Sequence, residues 1–230
     1  MKPLIIANWK MNPSNSKDAF DLAKAVVRGL EGVKADVVLC PPFVYVAQLL
    51  PSSNVFIGAQ DCFWVQEGAY TGEVSPQMLK NLGCSYVIFG HSERKKLGET
   101  TEMTAKKTQA ALLASLVPVV CIGEHIEEEM KSILKGIAPK DVSQIIFVYE
   151  PEWAISTQPH ARPATPKEAQ AAFKKMCSLL PKTTSLLYGG SVNSKDIKGF
   201  IEAGAQGALV GAASLDAQEF IQLAKNSISR

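Results

Sequence analysis

The chain has no run of about 18 consecutive apolar residues, so nothing in it reads as a membrane-spanning helix. Its start, Met1-Lys2-Pro3, is not followed by a long apolar stretch, and no signal peptide is expected. Charge of one sign is also lacking. The net charge is +2 over 230 residues, which gives no case for nucleic acid or an acidic membrane surface as a partner. Five cysteines (Cys40, Cys62, Cys84, Cys121, Cys177) are scattered and never spaced as Cys-x-x-Cys, which fits reduced thiols in a cytoplasmic protein. Three histidines (His91, His125, His160) lie far apart without metal-ligand spacing, so no metal is expected. No internal repeat, low-complexity tract or linker interrupts the chain, and one domain over residues 1–230 is expected.

What is present is a series of short, continuous apolar runs bounded by turn residues, the pattern of buried parallel strands. They fall near 4–8, 37–40, 55–59, 86–90, 117–122, 145–149, 185–188 and 207–210. Helical patterning fills the gaps. Asp18 to Leu30 carries an apolar face, and Glu102 to Leu116 is read the same way. Thr165-Pro166 supplies an N-cap followed by proline at the first helical position. Ser194 is read as the start of a helix ending before Gly204, and Asp216 lies near the start of the last. Eight strands alternating with helices predict a parallel sheet, closed as an α/β barrel. An open doubly wound sheet would call for Gly-x-Gly-x-x-Gly after the first strand. Asn8-Trp9-Lys10-Met11-Asn12 stands there instead.

Three of these runs end in residues able to do acid–base or electrostatic work. The first reaches Asn8 and Lys10, the fourth His91 and the sixth Glu150. An α/β barrel builds its site from the carboxyl ends of several strands. A cation, an imidazole and a carboxylate could therefore converge on one small molecule. Taken singly, each has a plainer reading: a solvated lysine, a satisfied core histidine, a capping or solvated acid.

Read together, the motifs resemble the triosephosphate isomerase family over the whole chain and in order. Asn8-Trp9-Lys10-Met11-Asn12 is similar to its first-strand motif, Ala69-Tyr70-Thr71-Gly72-Glu73 to its dimer loop, and Gly90-His91-Ser92-Glu93-Arg94 to its histidine motif. Val120-Cys121-Ile122-Gly123-Glu124 resembles the end of its fifth strand, and Tyr149-Glu150-Pro151 with Trp153-Ala154-Ile155 its base and the start of its lid. Tyr188-Gly189-Gly190-Ser191-Val192-Asn193 and Gly207-Ala208-Leu209-Val210-Gly211 resemble its two phosphate loops.

The resemblance implies a single-domain (β/α)8 barrel that interconverts dihydroxyacetone phosphate and glyceraldehyde 3-phosphate without a cofactor. It implies Glu150 as the base, His91 as a neutral electrophile, Lys10 as an electrostatic partner of the oxyanion and phosphate, and Asn8 as a donor that holds Lys10. Glu93 would orient Lys10, and Cys121 would stand behind the reacting groups. Ser156, Ser191, Gly211 and Ala212 would meet the phosphate, largely through backbone N–H groups. A homodimer is implied, with Thr71 reaching a second subunit's site near Asn8 and His91. Arg94 is expected to be structural or at that interface.

The lid departs from the family pattern, which usually reads Trp-Ala-Ile-Gly-Thr-Gly. Here Ser156 and Gln158 replace two glycines, and the run Pro159-His160-Ala161-Arg162-Pro163 adds about two residues before Thr165. If either position needs a positive φ, a side chain there strains it. The second glycine after the eighth strand is replaced by Ala212, whose Cβ could crowd a phosphate. Less complete or altered lid closure is the expectation. Arg162 is expected to be solvated or, as the less favoured reading, to lend charge near the phosphate. Two other functions compete: a different phosphate-sugar isomerase, and a catalytically weakened homologue that binds a phosphate ligand.

Overall fold

The computed structural model describes residues 2–49, 54–155 and 161–228. Strands β1 (Leu4–Asn8), β2 (Asp36–Cys40), β3 (Val55–Ala59), β4 (Tyr86–Phe89), β5 (Val117–Ile122), β6 (Ile146–Tyr149), β7 (Ser185–Tyr188) and β8 (Gly207–Val210) form a closed parallel barrel in chain order. β8 closes onto β1, with Leu4 opposite Gly207. A Cβ at Gly207 would overlap the Leu4 carbonyl, so glycine is what allows the seam to close.

The strands lie where the apolar runs predict, with ends set by local hydrogen bonds. Ile145 falls outside β6 because its N–H closes a turn onto the Val142 carbonyl at 3.1 Å. β4 stops at Phe89 because Gly90 turns left-handed, at φ 64°.

The surrounding helices are α1 (Ser16–Gly29), α2 (Phe43–Val46), α3 (Pro76–Asn81), α4 (Ser92–Lys96), α5 (Thr101–Leu113), α6 (Ile126–Leu134), α7 (Pro166–Leu179), α8 (Ile197–Glu202) and α9 (Ala217–Asn226). α7 opens with Thr165 and Glu168 in a reciprocal capping box. Two expectations are corrected. α8 begins at Ile197, not Ser194, because the Ser194 N–H and Oγ are taken by Glu219 at 2.7 and 3.0 Å. α5 ends at Leu113, and its buried side carries Thr104, Lys107 and Thr108 beside Ala111 rather than an apolar stripe.

Alternation along the strands divides the core in two. Ile6, Val38, Ile88, Val119, Cys121, Ile146, Val148, Leu187 and Leu209 fill the barrel. Their neighbours Ile5, Ala7, Val37, Leu39, Val87 and Phe147 face the helices. Following the inward register to the carboxyl ends gives Asn8, the last residue of β1, after Ile6, and Glu150, one residue past β6, after Val148. The same alternation that packs the barrel therefore delivers both residues to its mouth.

Candidate active site at the mouth of the barrel

Asn8, Lys10, His91, Glu150, Ser191, Gly211 and Ala212 line one cavity of about 330 Å³ at the carboxyl ends of the strands. Seven of the residues singled out from sequence thus share one space.

Lys10 is held from several sides. Its backbone is left-handed, φ 55°, a conformation that costs a non-glycine residue about 1–2 kcal/mol. Its N–H donates to Asn8 Oδ1 at 3.0 Å. On the other side, the Gln60 amide donates to the Lys10 carbonyl at 2.8 Å and to the Cys40 carbonyl at 2.9 Å. Nζ donates to Glu93 Oε1 at 2.7 Å.

His91 caps α4. Its Nδ1 accepts the Glu93 N–H at 3.2 Å, which leaves the proton of a neutral ring on Nε2. Nε2 lies 2.9 Å from Glu150 Oε1. The Glu150 carboxylate is almost fully buried and also accepts the Ser92 N–H at 2.9 Å and Ser92 Oγ–H at 3.3 Å. Cys121 lies behind this pair. Burial first, and then the charge of Glu150, push its thiol far above the ordinary range, so it stays protonated.

The loops after β7 and β8 approach the cavity closely. A Cβ at Gly189 would strike Val148, and one at Gly190 would strike the Tyr188 hydroxyl. Neither glycine is left-handed; both are needed for space. The Ser191 N–H donates to the Ala154 carbonyl at 2.8 Å, linking the β7 loop to the turn after Glu150. Gly211 lies against the Lys10 stem, and Ala212 opens the single 3₁₀ turn Ala212–Leu215.

Other residues fall elsewhere. Ser156, Gln158, Pro159 and His160 lie outside the described residues. Arg162 is not among the described residues that line the cavity; it is exposed, in keeping with the favoured reading, and pairs with Glu168. Thr71 is exposed, on the rim loop. Arg94 pairs within the chain with Asp61 at 3.0 Å and Glu99 at 3.3 Å.

Glu99 also accepts the Gly90 N–H at 2.9 Å and pairs with buried Lys107 at 2.5 Å, which reaches Asp61 at 2.7 Å. Burial would raise the Glu99 carboxyl, but Lys107, Gly90 and Arg94 outweigh it and hold it below its ordinary value. For Asp61 burial wins over Lys107 and Arg94, and its carboxyl is pushed up. This buried cluster braces the strand end that carries His91.

Sequence reasoning missed two contributors. Ser92 stands in the sequence only as part of the histidine motif, although a small hydroxyl residue directly after His91 is a usable signal. Gln60 carries no periodic signal. Its position one residue past the end of β3 was the only hint.

The sequence matches the family model described as triosephosphate isomerase over residues 3–227. Relatives bearing that name come from Caldanaerobacter subterraneus subsp. tengcongensis, 38% identical over 244 residues and covering 96% of this chain and 98% of the relative. One from Moorella thermoacetica is 40% identical over 241 residues, covering 95% and 96%. Another from Endomicrobium trichonymphae is 37% identical over 248 residues, covering 98% and 99%.

Proposed function

Because the chain belongs to the triosephosphate isomerase family, we propose that it interconverts dihydroxyacetone phosphate and D-glyceraldehyde 3-phosphate, the isomerisation step of glycolysis and gluconeogenesis, with the whole chain as one catalytic barrel. One observation carries the assignment of roles. A buried carboxylate lies 2.9 Å from an imidazole Nε2 whose proton is placed by a helix amide, in the same cavity as Lys10.

Glu150 leaves Ser92 and takes a proton from C1 of dihydroxyacetone phosphate. His91 Nε2–H supplies a proton to the C2 oxygen, giving an enediol. His91 then recovers a proton from the C1 oxygen, and Glu150 returns its proton to C2. The product is the aldehyde, and no electron leaves the substrate, so the chemistry calls for no cofactor. Lys10 and the Asn8 amide offset the charge that develops on the oxygens. The phosphate is proposed to meet the loops after β7 and β8 at Gly211, Ala212 and Ser191, the Ser191 N–H being released from the Ala154 carbonyl, and Ser156 is proposed to join them.

A homodimer fits the surface beside the site. Met11 is 92% exposed and Leu97 77%, at the edge of a concavity lined also by Phe43, Gln60, Gly72, Glu73 and Arg94. The loop around Thr71 on a second copy would enter that concavity and close the side of the cavity next to His91. Four buried free thiols suit the reducing cytoplasm, and no helix among the described residues is long and apolar enough to cross a membrane.

A coupled assay of glyceraldehyde 3-phosphate isomerisation tests the reading, wild type beside Glu150→Gln. Turnover that falls by about 10²–10⁴-fold in a folded variant supports the base. No turnover by the folded wild type would overturn the reading in favour of a protein that binds phosphate ligands without converting them.

A further inference from the structure

The turn that follows Glu150 is tied down by a residue well beyond it in the chain. The Arg162 N–H donates to the Trp153 carbonyl at 3.0 Å. Its guanidinium lies 4.2 Å from the centroid of the Trp153 ring, a stacked cation–π arrangement. The same guanidinium forks onto Glu168, NH2 to Oε1 at 2.6 Å and NH1 to Oε2 at 3.1 Å. Glu168 is itself fixed, accepting the Thr165 N–H at 2.8 Å in the first turn of α7. Arg162 therefore bridges a turn residue and the fixed end of a helix.

Trp153 is three residues past Glu150, with Pro151 between. In this arrangement Glu150 is withdrawn, with its oxygens engaged by Ser92 and by His91 Nε2. To take a proton from carbon the carboxylate has to leave those partners. A three-residue link spans at most about 10 Å, so a shift of Glu150 pulls on Trp153. Trp153 cannot shift without sliding from under Arg162 or drawing Arg162 off Glu168.

We propose that Arg162 is a positioning residue for Glu150: by bracing Trp153 against the start of α7 it favours the withdrawn posture of the base, and substrate binding has to overcome that brace. The proposal deepens the isomerase reading and rests on it. A ligand that favours the advanced posture binds more weakly in proportion to how far the brace favours the other one. The brace is solvent-exposed, with the Arg162 side chain 57% accessible, so its effect is modest, about three- to tenfold.

The test compares wild type, Arg162→Ala, Arg162→Lys and Glu168→Gln. It measures the dissociation constant of 2-phosphoglycolate, a planar carboxylate mimic of the enediolate, together with kcat and KM for glyceraldehyde 3-phosphate. Arg162→Ala is expected to bind the mimic about three- to tenfold more tightly and to lower KM by a like factor, with kcat no higher. Arg162→Lys keeps a charge opposite Glu168 but loses the fork and the stack, and falls between. Glu168→Gln keeps an acceptor for the capping box, loses the ion pair, and moves the same way by less. A merely structural role for Arg162 predicts the reverse, weaker mimic binding and a higher KM in Arg162→Ala, and that result or unchanged binding overturns the proposal. If Arg162→Ala does not fold, the lysine and glutamine variants carry the comparison. A folded wild type without turnover defeats the isomerase reading itself, and the brace with it; a turning-over wild type with unmoved variants defeats the brace alone.

Discussion

The ends of β4 and β6 deliver the two proton-handling groups, and they are built in opposite ways. Behind His91 the backbone is locked by buried charge. Glu99 and Lys107 are 1% and 3% exposed in their side chains, and Glu99 grips the Gly90 N–H directly. Beyond Glu150 the turn is held by the exposed Arg162, which stacks on Trp153, donates its N–H to the Trp153 carbonyl and is itself anchored on Glu168, and by a hydrogen bond from Ser191 to Ala154. The imidazole has only to stay where it is while protons pass through it, and buried ionic contacts suit a fixed post. The carboxylate has to change partners, and contacts worth little singly suit a part that moves.

The comparison breaks most severely at Lys107. Lys107→Met leaves Glu99 and Asp61 with the half-exposed Arg94 in place of a buried cation and is expected to cost about 3–5 kcal/mol by urea denaturation. Its pH dependence should also reverse. In the wild type the Glu99 carboxyl is held below its ordinary 4.5, so its contribution is complete above that pH and is lost as pH falls through the lowered value. Asp61, pushed up by burial, partly offsets this because protonating it relieves a cost. Without Lys107, burial dominates both acids, and the variant should gain stability on mild acidification where the wild type does not.

A smaller break is Gly90→Ala. It places a Cβ 3.1 Å from the Cys121 carbonyl, at a φ of 64°, and should cost about 1–2 kcal/mol in stability. Because the same peptide carries His91, kcat should fall with it. The smallest is Ser92→Ala. It removes only the 3.3 Å hydroxyl contact and leaves the Ser92 N–H on Glu150. Stability should drop by about 1 kcal/mol or less, and kcat/KM should move by less than about tenfold. If Ser92→Ala destabilised the protein as much as Lys107→Met, the contrast between the two strand ends would be wrong.

The sequence made the barrel legible because each strand is a short apolar run cut off by a residue that cannot continue it. Asn8, His91 and Glu150 stood out for the same reason, as polar residues at the ends of such runs. The brace behind His91 did not stand out. Glu99 and Lys107 read as ordinary charges flanking and riding on a surface helix, and only packing against the ends of β3 and β4 buries them. Ser194 is a helix start on the sequence alone. Glu219, distant in sequence, had already claimed its polar groups. Arg162 could be seen in the sequence but its direction could not, since that depends on where Trp153 lies.

The hydrogen bond between Asn8 Oδ1 and the Lys10 N–H has one more effect. It uses up the acceptor end of the Asn8 amide and leaves the Nδ2 hydrogens for the cavity. The ring of His91, with Nδ1 already occupied, likewise turns only a hydrogen toward the cavity, and an ammonium has nothing else to offer. Among Asn8, Lys10, His91 and Glu150 the floor is therefore sorted by polarity before anything binds: three offer hydrogens and one, Glu150, is basic. A guest rich in oxygen lone pairs with one acidic C–H matches that sorting, whereas a guest of the same size that presents hydrogens of its own meets like against like.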